Sequence, residues 1–143
     1  DGGWSNAQES AILEWYFAGG TDVSRSSTWV ALCLASPLDN SNVISEPTYS
    51  DVLYQRQEIT AAQWEYSPGT LDPTAWQNTV AIQFPLCNQN VAETVTHWAL
   101  MSLASGGELI FSGEVAVPSG GLLLNAGVQP QFDISALRVQ LGS

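Results

Sequence analysis

Past residue 20 the apolar residues of this chain either alternate with period two or gather in runs of strand length. Turns containing Gly or Pro separate them. That punctuation constrains the fold most, because it leaves no room for a second long helix and asks for many short strands. Trp29–Ala35 (WVALCLA) reads as a strand buried on both faces. The stretch 36–50 is a polar, Pro-containing loop. Tyr54–Ile59 is a strand continuing towards Trp64–Tyr66, and Ser67–Ala75, with Pro68, Gly69 and Pro73, is a second loop. Thr79–Phe84 places Val80, Ile82 and Phe84 on one face, and Val95–Leu103 is a long strand. Ser105-Gly106-Gly107 turns it into Leu109–Val117, which is a hairpin signal. Pro118–Gly121 turns again into Leu122–Leu124, and Gln131–Leu141 closes the chain. Seven or eight such strands predict an all-β fold: an antiparallel β-sandwich, jelly-roll-like or Ig-like, with one N-terminal α-helix.

The helix is legible from its ends. Ser5-Asn6-Ala7-Gln8 is a Ser-x-x-Gln capping box, residues 7–18 hold no Gly or Pro, and Gly19-Gly20 supplies the stop. Leu13, Tyr16 and Phe17 share one face at helical spacing, with Ile12 and Trp15 beside it. A face so wide and aromatic must be buried, against the chain's own sheet or against a neighbouring chain. At 143 residues the expected organisation is one domain over 1–143: an N-terminal arm (1–5), the helix (6–18) and the sandwich (29–141). A chain of this size can bury roughly 70% of its unfolded surface. Asp1–Trp4 has neither a basic nor an apolar leader region, so no signal peptide is expected in these residues, and no apolar run approaches the ~18–20 residues of a membrane span.

Charge narrows the partners. Fourteen carboxylates face Arg25, Arg56 and Arg138, there is no Lys, and the net charge is −11. Such a chain repels phosphate backbones and anionic membranes, so neither nucleic acid nor membrane is an expected partner. Only 12% of residues are charged, against ~25–35% for a surface that stays wholly wet. Part of this surface is therefore expected to be covered.

Catalytic constellations are thin. His97 is the sole histidine and sits mid-strand, on the face of Val95 and Ala99, with no G-x-S-x-G elbow to accompany it. Glu58 with Glu65, or Glu108 with Glu114, could be glycosidase pairs, but fourteen acids make coincidental pairs inevitable. Asp39-Asn40-Ser41-Asn42 concentrates oxygen ligands yet lacks the spacing and the distal Glu of a calcium loop. Cys33 and Cys87 read as small core residues, a disulfide between them being open. The expectation is no enzyme, no cofactor and no metal.

Six tryptophans remain. Trp15, Trp29 and Trp98 lie in strongly apolar segments and read as core, whereas Trp64 and Trp76 bracket a loop and suit an exposed platform. Aromatic residues concentrate at interface centres, so the interface candidates are Trp4, Trp15, Tyr16, Trp64, Tyr66 and Trp76. The arm Asp1–Ser5 and the helix are one expected docking element, and the loop aromatics are the second.

The order of segments resembles a family of small tailed-bacteriophage virion proteins, of minor-tail, tail-fibre-like or capsid-decoration type. The likeness runs from Asn6 to Leu141. It rests on WVALCLASP (29–37), YQRQEIT (54–60), AIQFP (81–85), VTHWALMSLASGGELIFSGEVAVPSGGLLLNAG (95–127) and FDISALRVQL (132–141). Ser102-Leu103 departs from the Asp often found after the His97 strand, and the 36–50 loop is long. The resemblance implies a structural protein of a virion, a trimer, with no catalytic residues to carry over. The expected role is a capsid decoration (cement) protein that bridges major capsid subunits at the capsid surface. A tail-fibre or baseplate component is its rival, and a carbohydrate-binding module for host attachment is a further alternative.

Overall fold

The computed structural model describes residues 3–49, 53–67, 74–115 and 121–141. Strand β1 (Gly3–Trp4) leads through Ser5 into helix α1 (Asn6–Ala18). The strands that follow are β2 (Ser27–Cys33), β3 (Gln57–Thr60), β4 (Trp64–Tyr66), β5 (Ala75–Asn78), β6 (Ile82–Gln83) and β7 (Glu93–Val95). After them come β8 (His97–Met101), β9 (Leu109–Glu114), β10 (Leu122–Leu124), β11 (Gln131–Phe132) and β12 (Arg138–Gln140). All pairings are antiparallel. A five-stranded sheet runs β1-β9-β8-β2-β3, a three-stranded sheet β12-β5-β4, and two ribbons pair β10 with β7 and β11 with β6. The fold is the expected antiparallel β-sandwich with one helix near its N-terminus.

The central strands explain the layering. Along β2, Val30 and Leu32 join Trp98, Leu100 and Phe111 in the main core, whereas Ala31 and Cys33 join Ala99, Met101 and Leu109 on the other face. Alternation thus sorts large side chains to one face and smaller ones to the other. The 36–49 segment covers the smaller face through Ile44, and the Leu34 amide donates to Ser45 O at 2.8 Å. Trp98 stacks on Phe111 at 5.7 Å. A Cβ at Gly113 would meet the Trp98 ring at 2.7 Å, so close packing demands glycine there.

Several expected boundaries are corrected. The Tyr54–Ile59 strand begins only at Gln57, and a 3-10 turn (Ala61–Gln63) separates it from β4. β5 occupies Ala75–Asn78, from the last residue of the expected Ser67–Ala75 loop up to the expected Thr79–Phe84 strand. The Thr79–Phe84 strand shrinks to Ile82–Gln83, because the buried Asn78 amide takes Val80 O (2.7 Å) and bends the chain before the ladder resumes. The Val95–Leu103 strand breaks at Thr96, whose amide turns to Cys33 O (2.9 Å). The break reverses the alternation, so Val95 faces the main core while His97 shares a face with Ala99 and Met101. Gln131–Leu141 is likewise two short strands, parted by a turn with Ser135 at φ 70°. The expected turn at 118–121 lies outside the described residues except for Gly121.

Helix α1 matches its expected span. Ser5 Oγ accepts the Gln8 amide at 3.3 Å, and Gly19 stops the helix at φ 69°. The capping box is only half formed. The Ser5 amide already donates to Ile110 O (3.0 Å) on the sheet, which frees the Gln8 side chain to donate to Glu108 Oε2 (3.2 Å). Of the two covers expected for the aromatic face, its own sheet or a neighbouring chain, the sheet does not supply one: Gln8 is the one buried residue of the helix.

Candidate functional site

An open groove of about 470 Å³ lies at one mouth of the sandwich. Leu100 and Ile110 of the main core reach its floor, and four of the six expected interface residues, Trp4, Trp15, Trp64 and Trp76, form its walls. Trp4 belongs to the arm expected as a docking element. It is half-buried in β1: its ring meets Phe111 edge-on at 5.5 Å, and Nε1 donates to Gln140 O at 2.8 Å. That bond joins the two ends of the described chain across the groove. Asp1 and Gly2 lie outside the described residues. Trp64 comes from β4 and is half-buried against the core, whereas Trp76 on β5 is half-exposed beside it.

Trp15 corrects a second expectation. It is 42% exposed and lines the groove from the helix rather than entering the core. From it a train of rings runs out along the helix: Trp15 to Tyr16 at 6.2 Å, then Tyr16 to Phe17 at 5.0 Å. Leu13, Tyr16 and Phe17 are 58%, 72% and 77% exposed. Tyr66 lies outside the groove wall but touches it, edge to face with Trp76 at 6.4 Å and 78°.

Among the described residues the groove's one charged wall residue is Arg25. Its Nη2 donates to Gln8 Oε1 (3.3 Å) and lies 3.5 Å from Glu108 Oε2, a long and exposed ion pair worth ~0–1 kcal/mol. Arg25 and the β12 wall, Val139 to Leu141, carried no sequence signal as site residues. Only the fold brings them beside residues more than a hundred positions away.

The remaining candidates stand apart from this surface. His97 is half-buried on β8, its Nδ1 2.8 Å from Thr96 Oγ1, and pairs across the sheet with Glu114. Glu58 accepts from Ser27 Oγ (2.6 Å) and Glu65 from Gln77 Nε2 (3.2 Å), on strands of different sheets. Glu108 immediately precedes β9 and Glu114 ends it, their backbones roughly 20 Å apart at ~3.4 Å per residue. That far exceeds the ~5–9.5 Å between glycosidase carboxylates. The 39–42 loop is a turn knit into the fold: Asn42 Oδ1 accepts the Leu109 amide (3.1 Å) and Asp39 O accepts the Asn6 amide (2.8 Å). Cys33 and Cys87 are buried free thiols in separate core clusters, and burial pushes the Cys33 thiol up to about 12.

A small β-sandwich that leaves an aromatic helix face and an apolar groove uncovered has the surface of an assembly subunit, and comparison with known families agrees. The chain is a structural protein of a phage virion, of tail-fibre-like kind. It belongs to the family of the Podophage GP4 fiber I protein gp80, whose model matches residues 3–140. No curated protein matches the chain.

Proposed function

We propose that this chain is a subunit of the virion's fibre apparatus, without catalytic activity, and that it is fixed in the particle through the helix face and the aromatic groove. The observation that carries the reading is the state of α1. Its C-terminal stretch, Ala11–Ala18, carries one charged residue, Glu14, and is otherwise apolar in the way of helices that pack into a core, yet Gln8 alone is buried. At ~150–250 Å² per ring, the exposed fractions of Trp15, Tyr16, Phe17 and Trp76 amount to roughly 500 Å² of aromatic surface. Patches of that size on a lone molecule mark interaction sites. The family's fibre description supports this reading.

The capsid-cement role is the second reading, favoured by the net charge of −11, which suits a basic seat on a shell. Imaging virions that carry an epitope tag on this chain separates the two. Gold label on the fibres is the expected result, and label distributed over the head would overturn it in favour of cement.

A further inference from the structure

We propose that the occupant of the aromatic groove is a second copy of this chain, whose Tyr16–Phe17 ridge inserts into it. This deepens the fibre reading and rests on it only for the setting. Ridge and groove lie side by side on one surface, joined by Trp15, which belongs to both. A surface with a projection next to a hollow of like chemistry can close on copies of itself, each ridge entering a neighbour's groove.

Charge selects the same occupant. Among the described residues the groove wall carries a single charged side chain, the cation Arg25. The ridge is flanked on its helix by Glu9 and Glu14 and by no cation. A second copy therefore brings carboxylates to the arginine, which its long contact with Glu108 (3.5 Å) leaves available to re-pair. Area agrees as well. The exposed rings, together with Leu13 (58%) and Leu141 (59%), approach the ~800 Å² that each partner contributes to a standard interface. The remaining surface of both copies is acidic, so long-range repulsion opposes the contact until salt screens it.

The test uses the full chain in sedimentation velocity across a concentration series. Self-association is expected, and it should tighten between 20 mM and 300 mM NaCl. Association with a basic partner would weaken over the same range. A ridge variant, Tyr16→Ser with Phe17→Ser, and a groove variant, Trp76→Ser, should each weaken self-association on the order of 100-fold while keeping the wild-type circular dichroism spectrum. Mixed one to one, the two variants should form a heterodimer, because one retains its groove and the other its ridge. A wild-type chain that stays monomeric to millimolar concentration, or variants that associate as wild type does, overturns the proposal. If the chain is monomeric yet the ridge variant is lost from virions, the partner is another virion protein, and the fibre reading survives without this inference.

Discussion

Asn78 is fully buried, and its side chain closes the two turns that shape the three-stranded sheet. Nδ2 donates to Val80 O at 2.7 Å and Asp133 O at 3.0 Å, while Oδ1 accepts the amide of the buried Leu137 at 2.9 Å. Asn78→Ala removes three hydrogen bonds, each worth ~0.5–1.5 kcal/mol net, and strands the Leu137 N–H, a further ~1–3 kcal/mol. The expected loss is about 3–5 kcal/mol, a large share of the ~5–15 kcal/mol that holds a domain together. Urea unfolding followed by tryptophan fluorescence measures it as a fall in midpoint at constant slope. Asn78→Asp checks the mechanism by sign. A carboxylate there keeps the acceptor for Leu137 but faces two carbonyl oxygens, so its folded pKa must rise above the unfolded value of ~3.9. The folded state then holds a proton that the unfolded state releases, and this variant should lose stability as pH rises from about 4 to 7. A loss below about 1 kcal/mol for Asn78→Ala, or an Asp variant indifferent to pH, refutes the clasp.

Two further outcomes follow from buried polar groups. Arg56, its side chain 7% exposed, pairs with Glu46 (Nε–Oε1 2.8 Å, Nη2–Oε2 3.1 Å) and donates from Nη1 to Leu103 O and Gly106 O. Glu46→Ala strands that guanidinium and should cost about 3–5 kcal/mol in urea unfolding, and Arg56→Lys should lose the grip on the 103–106 turn that hydrogen exchange reports. On the alkaline side, burial raises Tyr49 and Cys33 to about 12 each, and raises Tyr54 further, helped by the neighbouring Glu46 charge. Above pH ~9 the unfolded chain sheds protons that the folded chain keeps, so stability should fall from about pH 9 to 12, by up to ~1.4 kcal/mol per pH unit for each group. Thermal melts between pH 7 and 11 check this, and an unchanged melting temperature contradicts it.

How far the sequence reveals this molecule depends on the range of the interactions involved. The helix is legible because its signals are local: Ser5 at one end, Gly19 at the other, and no breaker between. The β2 strand is legible because burial on both faces leaves a continuous apolar run. β5 and the break at Thr96 are not legible, since Asn78 and the Thr96 amide act through partners, Asp133 and Cys33, that are distant in sequence. Residue type alone marks Trp64 and Trp76 as a pair on a rim. It cannot say that Trp4 and Trp15 join them, because that meeting requires β1 to pair with β9 and Trp4 to reach Gln140. The aromatic helix face poses the clearest question the sequence asks, whether its own sheet or a neighbour covers it, and the fold answers the first half by leaving it bare.

Hydroxyl-radical footprinting of the free chain and of intact virions is the most direct measurement. If particle assembly hides this surface, oxidation of Trp15, Tyr16, Phe17 and Trp76 should slow at least tenfold in the virion while Tyr66 changes less. Equal rates in the two samples would mean that these rings stay in water after assembly, and the account would be wrong at its foundation.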